Sequence, residues 1–209
     1  VWMIVGASLS EYEINPKRNE KVVLKADSNW IPMKGKRRIL KNSVLDFSAA
    51  LDAPAGKYGF ARNRNGRIEF EKRPGVPVRF YGANVCFSAN YMEHAQSDRL
   101  AEEFAAIGYN LIRLHHFDRD TSDRSGGSST RMKAEFKDRM DYLIAACRKR
   151  GIYVTMDLFI SRHLEKGEVK EFPGEKVDRT RVKGLVFVSD SAMRNWQEYA
   201  ENLLSAKNP

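Results

Sequence analysis

The sequence lacks several patterns that carry well-known chemistry. Its two cysteines, Cys86 and Cys147, form no Cys-x-x-Cys pair and lie in apolar stretches, so we expect buried thiols and no structural zinc site. No apolar run approaches the roughly 18 residues that a membrane-spanning helix needs. There is no Gly-x-Ser-x-Gly nucleophile elbow, and the segment Ser125–Ser129 lacks the Lys-Ser/Thr ending of a phosphate-binding P-loop. That segment is predicted to be a flexible loop. From the missing patterns taken together, we expect no cofactor and no membrane partner.

Basic charge is concentrated in the first third of the 209 residues. Residues 1–76 hold 15 basic and 8 acidic side chains, whereas residues 77–209 hold 21 and 19. A polyanion partner for the first third is therefore one hypothesis. Its Lys and Arg residues are scattered among strand-like residues rather than placed on one helix face, which does not favour nucleic acid as that partner.

The first 80 residues predict short strands and turns. Val22–Leu24 and Val44–Phe47 are apolar runs of strand length, separated by prolines and glycines. Gly66–Phe70 and Val76–Phe80 each alternate apolar and polar side chains around Arg73-Pro74-Gly75. This pattern predicts a hairpin with its turn at that tripeptide.

After residue 80 the pattern changes to alternating strands and helices. The predicted strands lie at about 80–86, 110–115 and 152–159. Ser97 is the predicted N-cap of the first helix and Gly108 its stop, while Ser189 or Ser191 caps the third. Three strand–helix units in succession predict a parallel sheet, and the long links that leave each strand predict a binding face at the carboxyl edge.

Alternation along the strands predicts which side chains meet at that edge. In the second strand Ile112 and Leu114 should face the helices, which places Arg113 and His115 on the other face. By the same argument, polar side chains of three neighbouring strands should share one space: Asn84, Arg113, His115 and Asp157. An alternative is a satisfied structural network, such as an Arg113–Asp157 ion pair, and the two interpretations are compatible.

His115-His116 followed by Asp118 also invites a metal-site hypothesis. Consecutive strand residues point in opposite directions, so both imidazoles are not expected to reach one ion. We therefore predict no metal at this position.

Three blocks of this chain resemble the opening of a cellulase-like glycoside hydrolase, of family five and its relatives in clan A. The blocks are Val78–Asn84, Gly108–His116 and Arg150–Asp157, and the resemblance covers about residues 64–204. It implies an α/β fold that is a partial (β/α)8 TIM barrel: a β-rich leader over residues 1–63, then a barrel-floor hairpin and the first three βα units over residues 64–209.

The resemblance implies hydrolysis of a β-linked glycan with retention of configuration, by two glutamates about 5 Å apart. Arg113 matches the strand-two arginine that supports the nucleophile, and an oligo- or polysaccharide is the implied partner. The residues implied to bind substrate are Asn84, Arg113, His115, His116, Asp157 and Arg162. Such enzymes are usually secreted or periplasmic.

This sequence contains no glutamate that matches either catalytic glutamate of the family. Asn19-Glu20 lies in the leader, and the glutamates between residues 165 and 175 match neither catalytic position. We therefore assign no catalytic residue, expect the acid/base and nucleophile to lie beyond residue 209, and expect the isolated chain to be inactive. We also expect it to associate with another copy or with the remainder of a barrel.

Two alternatives belong to other functional classes. One is a non-catalytic carbohydrate-binding or scaffold module in which the leader is the working part. The other is a polyanion-binding protein that uses the basic leader, for which binding would fall steeply with salt.

Overall fold

The computed structural model of the protein describes residues 11–17, 20–31, 38–205 and 208. The chain forms two compact units, residues 1–37 and 38–209, so the predicted leader spans all of the first unit and the start of the second. In the first unit, β1 (Glu11–Lys17) and β2 (Glu20–Lys25) pair as antiparallel strands. β2 contains the predicted strand Val22–Leu24. Asn19, which precedes β2, lies outside the described residues.

A three-stranded parallel sheet organises the second unit. Its strands are β5 (Gly82–Cys86), β6 (Leu111–His115) and β9 (Tyr153–Met156), in the spatial order β5-β6-β9. β6 approaches β5 so closely that a Cβ on Gly82 would lie 1.9 Å from the Leu111 carbonyl oxygen, so only glycine fits there. The predicted mixed α/β class with a parallel sheet is confirmed.

Helices cover one face of this sheet. The long helices are α1 (His94–Ile107), α3 (Ala134–Lys149) and α5 (Asp190–Leu204). Their apolar sides enclose one core with the alternate strand residues: Val85, Ile112, Leu114, Met140, Leu143, Cys147, Ile152, Tyr199 and Leu203. Ile112 and Leu114, which were predicted to face the helices, are fully buried in this core.

The N-cap predicted for α1 is wrong. Glu93 caps α1 through a capping box with Gln96, and Ser97 is fully buried one turn inside the helix. Gly108, with φ +90°, ends the helix as predicted. At α5 the Ser189 side chain accepts a hydrogen bond from the Ala192 amide, which confirms one of the two caps proposed.

Short elements occupy the segments that leave the strands. After β6 come α2 (Asp118–Thr121), β7 (Ser122–Asp123) and β8 (Arg131–Met132), with β7 and β8 antiparallel. After β9 comes α4 (Arg179–Leu185). Within the described part of the chain, no helix is long and apolar enough to cross a membrane.

The hairpin forms, but with a different partner strand. β3 (Ala61–Arg64) pairs with β4 (Arg67–Phe70) through a turn at Asn65-Gly66, two residues with positive φ that suit a tight hairpin. The predicted turn at Arg73–Gly75 therefore does not join two paired strands. From the predicted second strand, the Val78 amide donates to the Ile68 carbonyl over 2.8 Å.

The predicted strand Val44–Phe47 is also wrong. These residues form turns before a short 3-10 helix (Ser48–Ala50), and Val44 is 94% exposed. A single backbone hydrogen bond from Phe47 to the Ala106 carbonyl, 2.9 Å long, joins this segment to α1. An apolar run of four residues does not make a strand when no neighbouring strand is available to pair with it.

The hairpin lies at the amino end of the parallel sheet. The Phe70 ring stacks on Tyr153, the first residue of β9, with centroids 5.1 Å apart. The Asn110 side chain holds the entry to β5 by accepting from the Tyr81 amide and donating to the Arg79 carbonyl. The carboxyl ends of the strands, at the opposite edge, are left to the long outgoing segments.

Candidate functional site

Polar side chains from all three parallel strands meet at the carboxyl edge, and we call Asn84, Arg113, His115 and Asp157 the rim cluster. Asn84 lies opposite Arg113 in the β5–β6 register. The Arg113 Nη2 atom is 2.6 Å from Asp157 Oδ2, and the His115 Nδ1 atom contacts the same oxygen. Strand alternation therefore places these side chains on one face, as the sequence predicts.

The Arg113–Asp157 ion pair holds two residues of the cluster together and leaves part of the Arg113 side chain exposed. Burial alone would raise the pKa of Asp157, but hydrogen bonds from Arg113 and His115 outweigh it and hold that pKa below its usual value. The Arg113 side chain stays 43% exposed, and Asn84 is exposed beside it. The ion pair of the structural alternative is thus present, and donors remain open to a ligand.

His116 leaves the strand face on which His115 lies. Its ring meets the His115 ring at 66°, with centroids 4.0 Å apart, and stacks on Phe87. Burial first, and then the neighbouring His115, lower the pKa of His116, so its imidazole is neutral at neutral pH. Four of the six predicted site residues form the rim cluster and a fifth, His116, adjoins it.

Sequence reasoning missed two residues at this edge, Phe87 and Asn90. Phe87 directly follows β5, and the fully buried Asn90 donates hydrogen bonds to the carbonyls of Phe87 and His115, each 2.8 Å long. The position of Phe87 next to a predicted strand end was a usable signal. The Asn90 contact joins residues 25 apart and has no local signature.

Arg162, the sixth predicted site residue, lies elsewhere. It is 5% exposed, and its Nη1 atom donates to Ser129 Oγ over 2.6 Å and to Asn195 Oδ1 over 2.7 Å. Its guanidinium lies 4.5 Å from the centre of the Tyr199 ring, and burial lowers its pKa. None of its described hydrogen bonds reaches the rim cluster, so the structure gives Arg162 protein partners instead of an open binding position.

Two carboxylates hold the outgoing segments around Arg162. The fully buried Asp118 accepts from the successive backbone amides of Ile160, Ser161 and Arg162. Glu168 accepts from the Ser129 amide, the Ser129 hydroxyl and the Asn195 side chain. We call these five residues the loop cluster: Asp118, Ser129, Arg162, Glu168 and Asn195.

The loop cluster corrects the prediction of a flexible Ser125–Ser129 segment. Its first three residues are exposed, but Ser129 is fully buried and bonded to Glu168. The glycine-rich composition describes only the outer part of the loop. Its inner end is tied to the segment that follows β9.

The described residues contain no cluster placed to bind a metal ion, and one of the two cysteines is fully buried. No group of three His, Cys, Asp or Glu side chains among them is placed to hold a metal ion. Cys86 is half-buried and Cys147 is fully buried, and burial raises the pKa of Cys147 to about 12. A thiol with that pKa stays protonated and packs as an apolar side chain.

Comparisons of the chain with protein-family models, curated proteins and solved structures gave no match. Function must therefore be inferred from the chemistry of the rim cluster. Its exposed groups are the Arg113 guanidinium and the Asn84 amide, with the half-buried imidazole of His115 beside them. Such groups can form hydrogen bonds with the hydroxyls of a ligand.

Proposed function

We propose that the rim cluster binds sugar units of a β-linked glycan, and that the chain is the opening part of a retaining glycoside hydrolase. In this proposal the parallel sheet is the first part of a (β/α)8 barrel, preceded by a β-rich leader and a barrel-floor hairpin. The observation that carries it is the convergence of Asn84, Arg113, His115 and Asp157 at the carboxyl edge of parallel strands, where barrel enzymes bind substrates.

Placement of the hairpin agrees with this proposal. Phe70 of β4 packs on Tyr153 at the amino end of the sheet, away from the rim cluster. In a barrel, that end carries stability and the carboxyl end carries function. The polar ends of the three strands and the β3–β4 hairpin thus lie at opposite ends of the sheet, which supports the proposal.

We expect this chain to bind glycan without cleaving it. Retaining hydrolysis needs two carboxyl groups about 5 Å apart, one able to give up a proton and one free to attack. Asp157 is held ionised by Arg113 and His115. Asp118 is buried against three backbone amides. Neither is free, and the glutamates between residues 165 and 175 match neither catalytic position, so we expect the two catalytic glutamates to come from outside residues 1–209.

Isothermal titration with four β-linked hexaoses tests the proposal: cellohexaose, mannohexaose, xylohexaose and laminarihexaose. We expect at least one to bind, and Arg113→Gln to weaken that binding about tenfold, or about 1.4 kcal/mol. Arg64→Gln, an exposed arginine of β3, is the matched control and should change binding less than about twofold. The same protein should release no aryl alcohol from aryl β-glycosides.

Other outcomes favour the other functional classes. Binding of a sulfated polysaccharide that falls steeply with salt, with no hexaose bound, would favour a polyanion partner for the basic leader. Hexaose binding that is unchanged in Arg113→Gln would remove the rim cluster from the site and favour a separate carbohydrate-binding surface.

A further inference from the structure

Two backbone outliers lie side by side at the edge that carries the rim cluster. Phe87 follows the last residue of β5 and His116 follows the last residue of β6, and their φ angles are +54° and +53°. In the described residues the only other non-glycine residues with positive φ are two asparagines, Asn42 and Asn65, which tolerate that conformation. For a phenylalanine it is strained, and strain of this kind persists only where the surroundings enforce it.

One buried side chain bonds to both strand ends. The Asn90 amide nitrogen donates to the Phe87 carbonyl and to the His115 carbonyl, each over 2.8 Å, so it ties the ends of β5 and β6 together. Asn90 Oδ1 is buried without a hydrogen-bond partner, which costs stability. The fold thus keeps two residues of positive φ and one unpaired buried oxygen at the ends of β5 and β6.

What this arrangement produces is an exposed ring surface. The Phe87 and His116 rings are nearly parallel, at 11°, with centroids 5.2 Å apart. Phe87 remains 55% exposed, although an aromatic side chain gains stability from burial. His116 in turn contacts His115, so the ring stack is continuous with the rim cluster.

A pyranose ring has an apolar C–H face and a polar edge of hydroxyls. An aromatic face complements the first, and hydrogen-bonding side chains complement the second. The rim cluster, which lies beside the ring stack, supplies the hydrogen-bonding side chains. We propose that the Phe87–His116 ring stack is a subsite that takes the apolar face of one sugar ring, and that Asn90 is the residue that positions it. This inference rests on the proposed glycan-binding function.

The variant Phe87→Gly separates a binding role from a structural one. Glycine adopts φ +54° without strain, so this change removes the ring and relieves the backbone together. A ring kept for packing would cost stability when removed. A ring kept for binding should leave the melting temperature unchanged or raised, and should weaken binding of the tightest of the four hexaoses about tenfold or more.

Three further variants complete the experiment. Asn65→Gly places glycine at another position of positive φ, in the β3–β4 turn away from the ring stack, and should leave hexaose affinity unchanged. Phe87→Trp keeps an aromatic face and should retain binding. Phe87→Leu keeps apolar bulk without the ring, and decides the question if Phe87→Gly does not fold: weakened binding supports the subsite, and wild-type binding overturns it.

Asn90→Ala tests the positioning role. It should weaken hexaose binding and should shift the NMR resonances of the Phe87 and His116 rings, because both carbonyl contacts are lost. Unchanged ring resonances would overturn that role. Hexaose binding by the wild-type chain that Phe87→Gly does not weaken overturns the subsite and leaves the proposed function standing. Binding of none of the four hexaoses by the wild-type chain overturns both.

Discussion

The rim cluster and the loop cluster are built from the same kinds of side chain, yet they differ in how many of their groups are satisfied. Arg162 of the loop cluster is buried and bonds to Ser129 and Asn195, whereas the Arg113 side chain of the rim cluster is 43% exposed and has one carboxylate partner. Arg162 donates its hydrogen bonds to other residues of the protein. Arg113 is held in place by Asp157 with donors left over, and this difference separates a scaffold from a binding site.

The largest expected effect is on the loop cluster. Asp118→Ala removes the acceptor for the amides of Ile160, Ser161 and Arg162, and an unsatisfied buried group costs about 1–3 kcal/mol. We expect the free energy of unfolding in urea to fall by about 3 kcal/mol or more. Asp118→Asn keeps a carbonyl acceptor and should cost less. A loss below about 1 kcal/mol for the alanine variant would show that these hydrogen bonds do not hold the loops.

Arg162→Met tests whether Arg162 stabilises the fold or binds substrate, because the resemblance also implies a substrate-binding role for it. The methionine fills the volume but leaves Ser129 and Asn195 without their donor. We expect a loss of about 2 kcal/mol in urea unfolding and less than a twofold change in hexaose affinity. A clear loss of affinity in the folded variant would move Arg162 into the binding site.

A smaller effect is expected for Asp157→Asn, and it should depend on pH. The pKa of Asp157 lies below its usual 3.8 in the folded chain, so the ionised carboxylate stabilises the fold above that pH. The contribution is lost as the pH falls through the lowered pKa. Because Arg113 is partly exposed, we expect a difference of about 1 kcal/mol from the wild type at pH 7.

Urea unfolding of both proteins between pH 7 and pH 2.5 checks this dependence. The difference between them should shrink as the pH falls below 3.8. A difference that stays constant, or grows, would mean that the Arg113–Asp157 pair does not hold the carboxylate ionised.

The sequence predicted those parts of the fold that local patterns determine. Alternation in β6 identified Ile112 and Leu114 as core and placed Arg113 and His115 on the other face, because side-chain direction in a strand follows from position alone. Gly108 was identified as the end of α1 for a similar reason, since its left-handed conformation suits glycine.

The predicted helix cap and the predicted hairpin turn were wrong because nearby residues form the cap and the turn instead. Ser97 has the chemistry of a cap, but the Glu93–Gln96 capping box starts the helix earlier. The Arg73–Gly75 tripeptide has the composition of a turn, but Asn65-Gly66 makes the tighter one. In both cases the predicted residue type was suitable and a neighbour was better placed.

The candidate site was predictable only in its strand residues. Phe87 matters because of its positive φ, and Asn90, which bonds to the Phe87 carbonyl, also bonds to the His115 carbonyl 25 residues away. The resemblance implies that Arg162 binds substrate, but Ser129 and Asn195, each 33 residues distant, decide where its side chain lies. Contacts of that range leave no local pattern.

The most direct test is a titration of the ¹⁵N-labelled chain with the tightest-binding hexaose, followed by amide NMR shifts. We expect the amide resonances of Asn84, Phe87, Arg113, His115 and His116 to move together and saturate, while those of Ser129 and Asn195 stay in place. Saturable shifts centred on Ser129 and Asn195, with the rim amides unmoved, would contradict it.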